Sequence, residues 1–242
     1  MRVLAVGAHP DDIELLCGGT LALYVAAGAS VTMAIATNGD VGGSGRTRSE
    51  NATIRHAEAL AGARALGAEL HWMGLRDEFL FNDASTRIAF IDAIRAARPD
   101  LMFVHSPEDY HPDHRVAGQV AEDARIPASV PLVETTLPEC RTIPRCFIMD
   151  TVGGHNFLPT VAVDISTALV KKANALRQHA SQEAWLHEAY NVDYAEMMEM
   201  QSARRGIANG VRHAEVFREV VTFPHERDLS VLPNVAWSSP AA

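Results

Sequence analysis

Two short stretches of the chain gather side chains that can hold a cation and move protons. The first is Ala8-His9-Pro10-Asp11-Asp12, directly after the apolar run Arg2 to Gly7. The second is His105-Ser106-Pro107-Glu108-Asp109-Tyr110-His111-Pro112-Asp113-His114, directly after the run Leu101 to Val104. Imidazoles and carboxylates are the donors of catalytic zinc, which takes three protein groups and keeps one position open for water or substrate. His9, Asp12 and His114 could supply that set. An ion there lowers the pKa of bound water to roughly 7 and polarises a substrate carbonyl. Asp11 and His111 are then unligated neighbours. One takes the proton from water and the other stabilises the oxyanion of a tetrahedral intermediate, in an order that the residue types leave open.

Both clusters have plainer readings. Proline at the first helical position and aspartate in the first turn suit any helix start, and the second cluster could be a polar loop. Three histidines and three acids within ten residues nevertheless form a dense set of metal-ligating and acid/base groups. The turn Gly7-Ala8-His9-Pro10-Asp11-Asp12 has no GxGxxG on which a pyrophosphate could rest, and Gly18-Gly19 comes too late. A GxSxG nucleophile elbow is absent as well.

The elements that must position these clusters follow from the alternation of short apolar runs with longer helix-like stretches, the pattern of an α/β fold with a mostly parallel sheet and helices on both faces. Strands are expected at Arg2–Gly7, Val31–Thr37, Glu69–Met73 and Leu101–His105, with helices near Ile13–Ala27, Arg48–Leu66 and Ser85–Ala97. Nearly all-apolar strands imply burial on both faces. Both clusters then fall outside the carboxyl ends of strands, where open α/β sheets bind ligands. Periodicity weakens after Asp100, and Ile126–Pro144 carries four prolines. Further strands are expected at Cys146–Asp150, Val161–Ile165 and Glu215–Phe223, and helices at Thr167–His179 and Tyr194–Ile207. The expected organisation is a single α/β domain over 1–223 and a loop-like tail over 224–242. Within that domain a Rossmann-like core covers about 1–165, and C-terminal helices and a strand cover 166–223.

The chain has 242 residues, 48% hydrophobic and 21% charged, enough to bury a substantial core. A formal net charge of -9 argues against a nucleic-acid partner, because counterion release needs clustered Lys and Arg, and favours a small molecule. Cys17, Cys140 and Cys146 form no CxxC pair, which suits a reducing compartment. Met1–Ala8 lacks the features of a signal peptide, so a cytoplasmic location is expected. The most apolar stretch, Ile13–Ala29, is interrupted by Glu14 and two glycines and reads as a buried helix, not a membrane anchor.

At AHPDD, followed about a hundred residues later by HPDH, the sequence resembles the LmbE-like N-acetylglucosaminyl deacetylases, the GlcNAc-phosphatidylinositol de-N-acetylase family. Supporting matches include Thr37-Asn38-Gly39-Asp40, Arg55 with Glu58, Leu75-Arg76-Asp77, Asp164-Ile165-Ser166 and His179-x-Ser181-Gln182. The resemblance implies that His9, Asp12 and His114 bind Zn2+, or another divalent metal such as Fe2+, and that Asp11 is the general base. It implies that His111 stabilises the oxyanion or protonates the leaving amine, with Asp113 holding that imidazole in its useful tautomer. Arg55 and Asp77 match positions that contact sugar hydroxyls in relatives. Their plainer roles are a helix-surface ion pair with Glu58 and a turn-capping acid. The implied substrate is a small N-acetylated amino sugar or conjugate, and the implied assembly a homo-oligomer. A metal-dependent esterase or phosphoesterase at the same site, or a non-catalytic metal- or sugar-binding protein, are the rival readings. His155 departs from the family pattern. His179 and Gln182 are assigned to capping or packing, and Trp185, Trp237 and Met197 to Met200 to packing or an interface.

Overall fold

The computed structural model describes residues 1–239. Its centre is an eight-stranded sheet in the order β3-β2-β1-β4-β5-β7-β6-β8. The strands are β1 (Arg2–Gly7), β2 (Ser30–Thr37), β3 (Glu69–Leu75), β4 (Leu101–Val104), β5 (Arg145–Met149), β6 (Val161–Asp164), β7 (Ala214–Glu219) and β8 (Val235–Ser238). The pairings among β1 to β5 are parallel, and those of β7 with β5, β7 with β6 and β6 with β8 are antiparallel. The α/β fold with a mostly parallel sheet is therefore as expected, with an antiparallel far side.

Among the described residues seven α-helices connect the strands: α1 (Asp12–Ala26), α2 (Arg48–Leu66), α3 (Ala84–Ala97), α4 (Pro112–Ala124), α5 (Leu169–Leu176), α6 (Ala180–Tyr190) and α7 (Tyr194–Ala208). Strand alternation sorts the core into two layers. Val3 and Ala5 pack with residues of α1, α2, α5 and α7, while Leu4 and Val6 pack with residues of α3 and α4. Local signals set several helix ends. Thr47 and Glu50 close a capping box at the start of α2, and Gly67, at φ 84°, ends it in the left-handed conformation. Pro112 occupies the first turn of α4, where its missing N–H has no intrahelical partner to lose.

The C-terminal third departs from the expected elements. The stretch Thr167–His179 is a helix only over Leu169–Leu176, and a further helix, α6, follows from Ala180. The final expected strand is shorter, Ala214–Glu219 in place of Glu215–Phe223. The segment 224–242 is not all loop: Leu229–Val231 forms a single 3-10 turn, and β8 pairs with β6 through Ala162 and Trp237. A four-residue strand between Asn234 and Ser239 is too short to show alternation. Pro240, assigned to that tail, lies outside the described residues. Among the described residues no helix is long and apolar enough to cross a membrane.

Candidate functional site

β1 and β4 are neighbours in the sheet, so the loops that follow them emerge side by side. One runs from Ala8 into α1 and the other from His105 into α4. The first loop turns sharply: Asp11, the residue before α1, has φ 109° and ψ -28°, a conformation that non-glycine residues rarely adopt. Strain of this kind persists only where surrounding contacts enforce it, and it clusters at functional sites. The Asp12 carboxylate folds back to accept the His9 N–H at 2.7 Å. In the second loop, His111 precedes α4 and its Nδ1 accepts the Asp113 N–H at 3.2 Å.

These turns bring His9, Asp12 and His114 together, all buried. His9 Nδ1 lies 3.1 Å from His114 Nε2, His114 Nε2 lies 3.2 Å from Asp12 Oδ1, and His9 Nδ1 lies 3.5 Å from Asp12 Oδ2. A tetrahedral zinc ion with bonds of roughly 2.0–2.1 Å requires donor separations of about 3.3 Å, so the spacing fits one shared ion. The outward nitrogens also fit. His114 Nδ1 is 3.1 Å from Asp109 Oδ1, off the axis of a well-formed hydrogen bond. His9 Nε2 is 3.3 Å from Asp77 Oδ1 and 3.5 Å from Asp113 Oδ2. Carboxylates behind metal-binding imidazoles fix their orientation and raise their basicity. Three overlapping groups place donor atoms within 4.8 Å of one another: His9 with His111 and His114, Asp12 with His105 and His114, and His9 with Asp77 and Asp113.

The electrostatics point the same way. Burial alone would lower the pKa of His114, but the Asp12 and Asp109 carboxylates outweigh it and raise the value to about 9. Burial likewise opposes protonation of His9, yet Asp113, Asp12 and Asp77 hold its pKa well above the ordinary value. A cluster this rich in acids takes up positive charge, as protons or as a cation that replaces them. The His/Asp cluster is thus able to coordinate a divalent metal.

Asp11 lies beside this cluster. Burial raises its carboxyl to about 6, against the pull of Arg55. Burial, with the nearby His9 and His114, lowers the pKa of His111 and keeps that imidazole neutral. Because Nδ1 of His111 accepts a backbone N–H, the ring proton sits on Nε2, 3.2 Å from Glu78 Oε1.

Two expected contacts, Asp113 with His111 and Arg55 with Glu58, take a different form, and Asp77 has partners within the protein. The Asp113 carboxylate does not meet the His111 ring; it accepts the Glu78 and Leu80 N–H groups at 2.8 and 3.2 Å and faces His9. Asp77, matched to sugar contacts, has one oxygen near His9 and the other accepting the Val41 N–H at 3.0 Å. Arg55 is no surface partner of Glu58. Its buried guanidinium donates to Pro10 O at 2.8 Å and Gly39 O at 3.2 Å, and lies 3.5 Å from Asp11 Oδ2. Glu58 instead accepts the N–H and hydroxyl of Ser181. Asp109, left outside the site by sequence reasoning, stands behind His114. His105, unassigned there, has Nε2 at 3.0 Å from Asp12 Oδ2. Position within the ten-residue cluster was the available signal for both. His155 is exposed and is not among the residues that line the cavity.

That cavity has a volume of about 530 Å³. Its polar end comprises His9, Asp11, Asp12, Arg55, Asp77, Glu78, His111 and His114, with Tyr110 at the rim. α6, α7 and the turn between them line the rest of the cavity, with Leu15, Gly42 and Val152.

Comparison with known proteins agrees with this geometry. The profile of the GlcNAc-PI de-N-acetylase family matches residues 4–125, the half of the chain that holds both clusters. The chain is 29% identical over 236 residues to the diacetylchitobiose deacetylase of Thermococcus kodakarensis, covering 93% of this chain and 87% of that one. It is similar in structure to the N,N'-diacetylchitobiose deacetylase of Pyrococcus horikoshii, with TM-score 0.79, 27% identity, and coverage of 90% of this chain and 83% of that one. It is also 30% identical over 131 residues to the 4-oxalmesaconate hydratase of Pseudomonas putida, a match spanning 51% of each. The chain belongs to the GlcNAc-PI de-N-acetylase family, and its buried His/Asp cluster occupies the site at the edge of the parallel sheet.

Proposed function

We propose that the protein is a Zn2+-dependent hydrolase that removes the acetyl group from a 2-acetamido sugar or a small molecule containing one. The observation that carries this reading is the closeness of three donors, His9 Nδ1 and His114 Nε2 at 3.1 Å with the two Asp12 oxygens 3.2 Å from His114 and 3.5 Å from His9, and Asp11 and His111 lining the same cavity. Zn2+ held by those three residues acts as a Lewis acid toward water and the amide carbonyl.

The remaining chemistry belongs to the chain. Asp11 takes a proton from the attacking water as the new C–O bond forms. Burial suits it to this task, because its raised pKa lets it keep that proton and then return it to the leaving nitrogen. His111 presents its Nε2–H to the carbonyl oxygen, where negative charge develops. When the C–N bond breaks, acetate and a free amine leave. Asp77, Asp109 and Asp113 hold the imidazoles of His9 and His114 in place, and Arg55 fixes the turn that carries Asp11.

The hydratase relative raises a second reading, addition of water to an unsaturated acid. The composition of the cavity favours the amide. Beyond the imidazoles and the cation they would hold, the lining has one cationic side chain, Arg55, whose donors already serve Pro10 and Gly39, so the cavity offers little to the further carboxylates of a polycarboxylate. The test is amine release from a panel of N-acetylated sugars by zinc-loaded and chelated protein. The expected result is release that chelation abolishes and zinc restores. Hydration of unsaturated acids, or hydrolysis of O-acyl or phosphate esters without amine release, would overturn the reading.

A further inference from the structure

The wall that α6 and α7 give the cavity is chemically unlike its His/Asp end. Trp185, Leu186 and Tyr190 from α6, Val192 from the following turn, and Tyr194 and Met197 from α7 form a largely apolar surface continuous with the catalytic end. The Trp185 and Tyr190 rings stand edge to face, with centroids 5.7 Å apart and planes at 85°. Among the α6 and α7 residues that line the cavity, the polar side-chain groups are the Gln182 amide, which donates to Gly42 O, two tyrosine hydroxyls and an indole N–H. α6 has one fully buried residue, Gln182, so its aromatic side chains are not spent on the core.

The wall is also fixed in position. Just before α6, His179 is bound to Glu14 of α1 at 2.9 Å, both completely buried. In its first turn Ser181 donates to Glu58 of α2 through N–H and hydroxyl at 2.8 and 2.6 Å, and Gln182 donates to Gly42 O at 3.2 Å. Apolar rings held in place beside a reactive centre bind a complementary apolar group with little ordering cost.

We propose that this wall selects the substrate's aglycone: the preferred substrate is an N-acetylamino sugar joined to an aromatic or alkyl group, with the acetamide at the metal site and the apolar group against Trp185 and Tyr190. The inference rests on the deacetylase reading and adds the substrate class to it. A second sugar is a poorer occupant, because its hydroxyls would leave water for a surface offering few partners. The acetyl group itself is small and is consumed at the polar end, so it does not account for this wall.

The test compares kcat/KM for amine release from 4-nitrophenyl N-acetylglucosaminide, free N-acetylglucosamine and N,N'-diacetylchitobiose, using zinc-loaded full-length protein. The aryl glycoside is expected to exceed both others by about tenfold or more, the discrimination that burying one apolar group provides. In Trp185→Ala that preference should shrink toward unity, and Trp185→Phe, which keeps a ring, should retain most of it. Zinc content and circular dichroism of each variant report whether site and fold are intact. A preference near unity in the natural protein, a disaccharide as good as the aryl glycoside, or Trp185→Ala with its preference intact would overturn the assignment. So would a rate that rises with the length of the N-acyl chain, which would put the apolar group on the acyl side. Hydrolysis of the free sugar without an aryl advantage defeats this inference alone, whereas no amine release from any of the three defeats the deacetylase reading with it.

Discussion

Asp11 is held in a left-handed backbone conformation, buried, and 3.5 Å from the Arg55 guanidinium. Its partners leave it free to exchange a proton, whereas Asp12 accepts from His9 and faces His105 and His114. Asp11→Asn should therefore retain stoichiometric zinc by elemental analysis and lose about 10²- to 10⁴-fold in kcat, the usual contribution of a positioned acid or base. Asp11 must also be ionised to accept a proton, so activity falls as pH falls through its pKa. Burial places that value at about 6, and a bound cation lowers it, so the acid limb of kcat/KM should lie at or below about pH 6. Zinc content measured across the same range separates this limb from loss of metal; a flat profile down to pH 4 with metal retained would remove Asp11 as base. His111→Ala should also keep its zinc while kcat drops about 10²- to 10³-fold, the cost of losing one oxyanion donor.

At the scale of elements, α4 carries His114 and Asp113 and reaches them only by close approach to the end of β4. Gly118 makes that approach: a Cβ there would collide with the backbone carbonyl of His105. Gly118→Ala should push α4 away, cost about 1–3 kcal/mol in urea unfolding, and weaken zinc binding, which isothermal titration would record. Unchanged affinity would show that α4 does not set the site. The elements that matter here were legible from sequence because β1 and β4 are short apolar runs, each followed at once by its cluster. Which acid stands behind which imidazole was not, since spacing along a chain does not give side-chain direction. Asp113 is two residues from His111 yet faces His9 across the turn. α6 escaped for another reason: Trp185 and Tyr190 line a cavity, Leu186 alone of its large apolar residues packs against the core, and the helix lacks the continuous apolar stripe that marks a packed one.

Across the whole molecule, the parallel half of the sheet carries the chemistry, and the antiparallel half with α5 to α7 braces it and closes the cavity. The brace includes a buried ion pair, Lys172 with Glu215 at 2.6 Å, in which Glu215 also accepts the Gly19 and Thr20 N–H groups of α1. Lys172→Met would leave that carboxylate buried without its counter-charge, and a loss of about 3 kcal/mol or more is expected in chemical denaturation. The central claim is that the two loops at the sheet edge converge on one cation. Anomalous diffraction at the zinc edge from crystals of the zinc-loaded protein tests it most directly. A single peak bonded to His9 Nδ1, the Asp12 carboxylate and His114 Nε2 is the predicted result, and a peak that leaves out either histidine, or none at the sheet edge, would contradict the account.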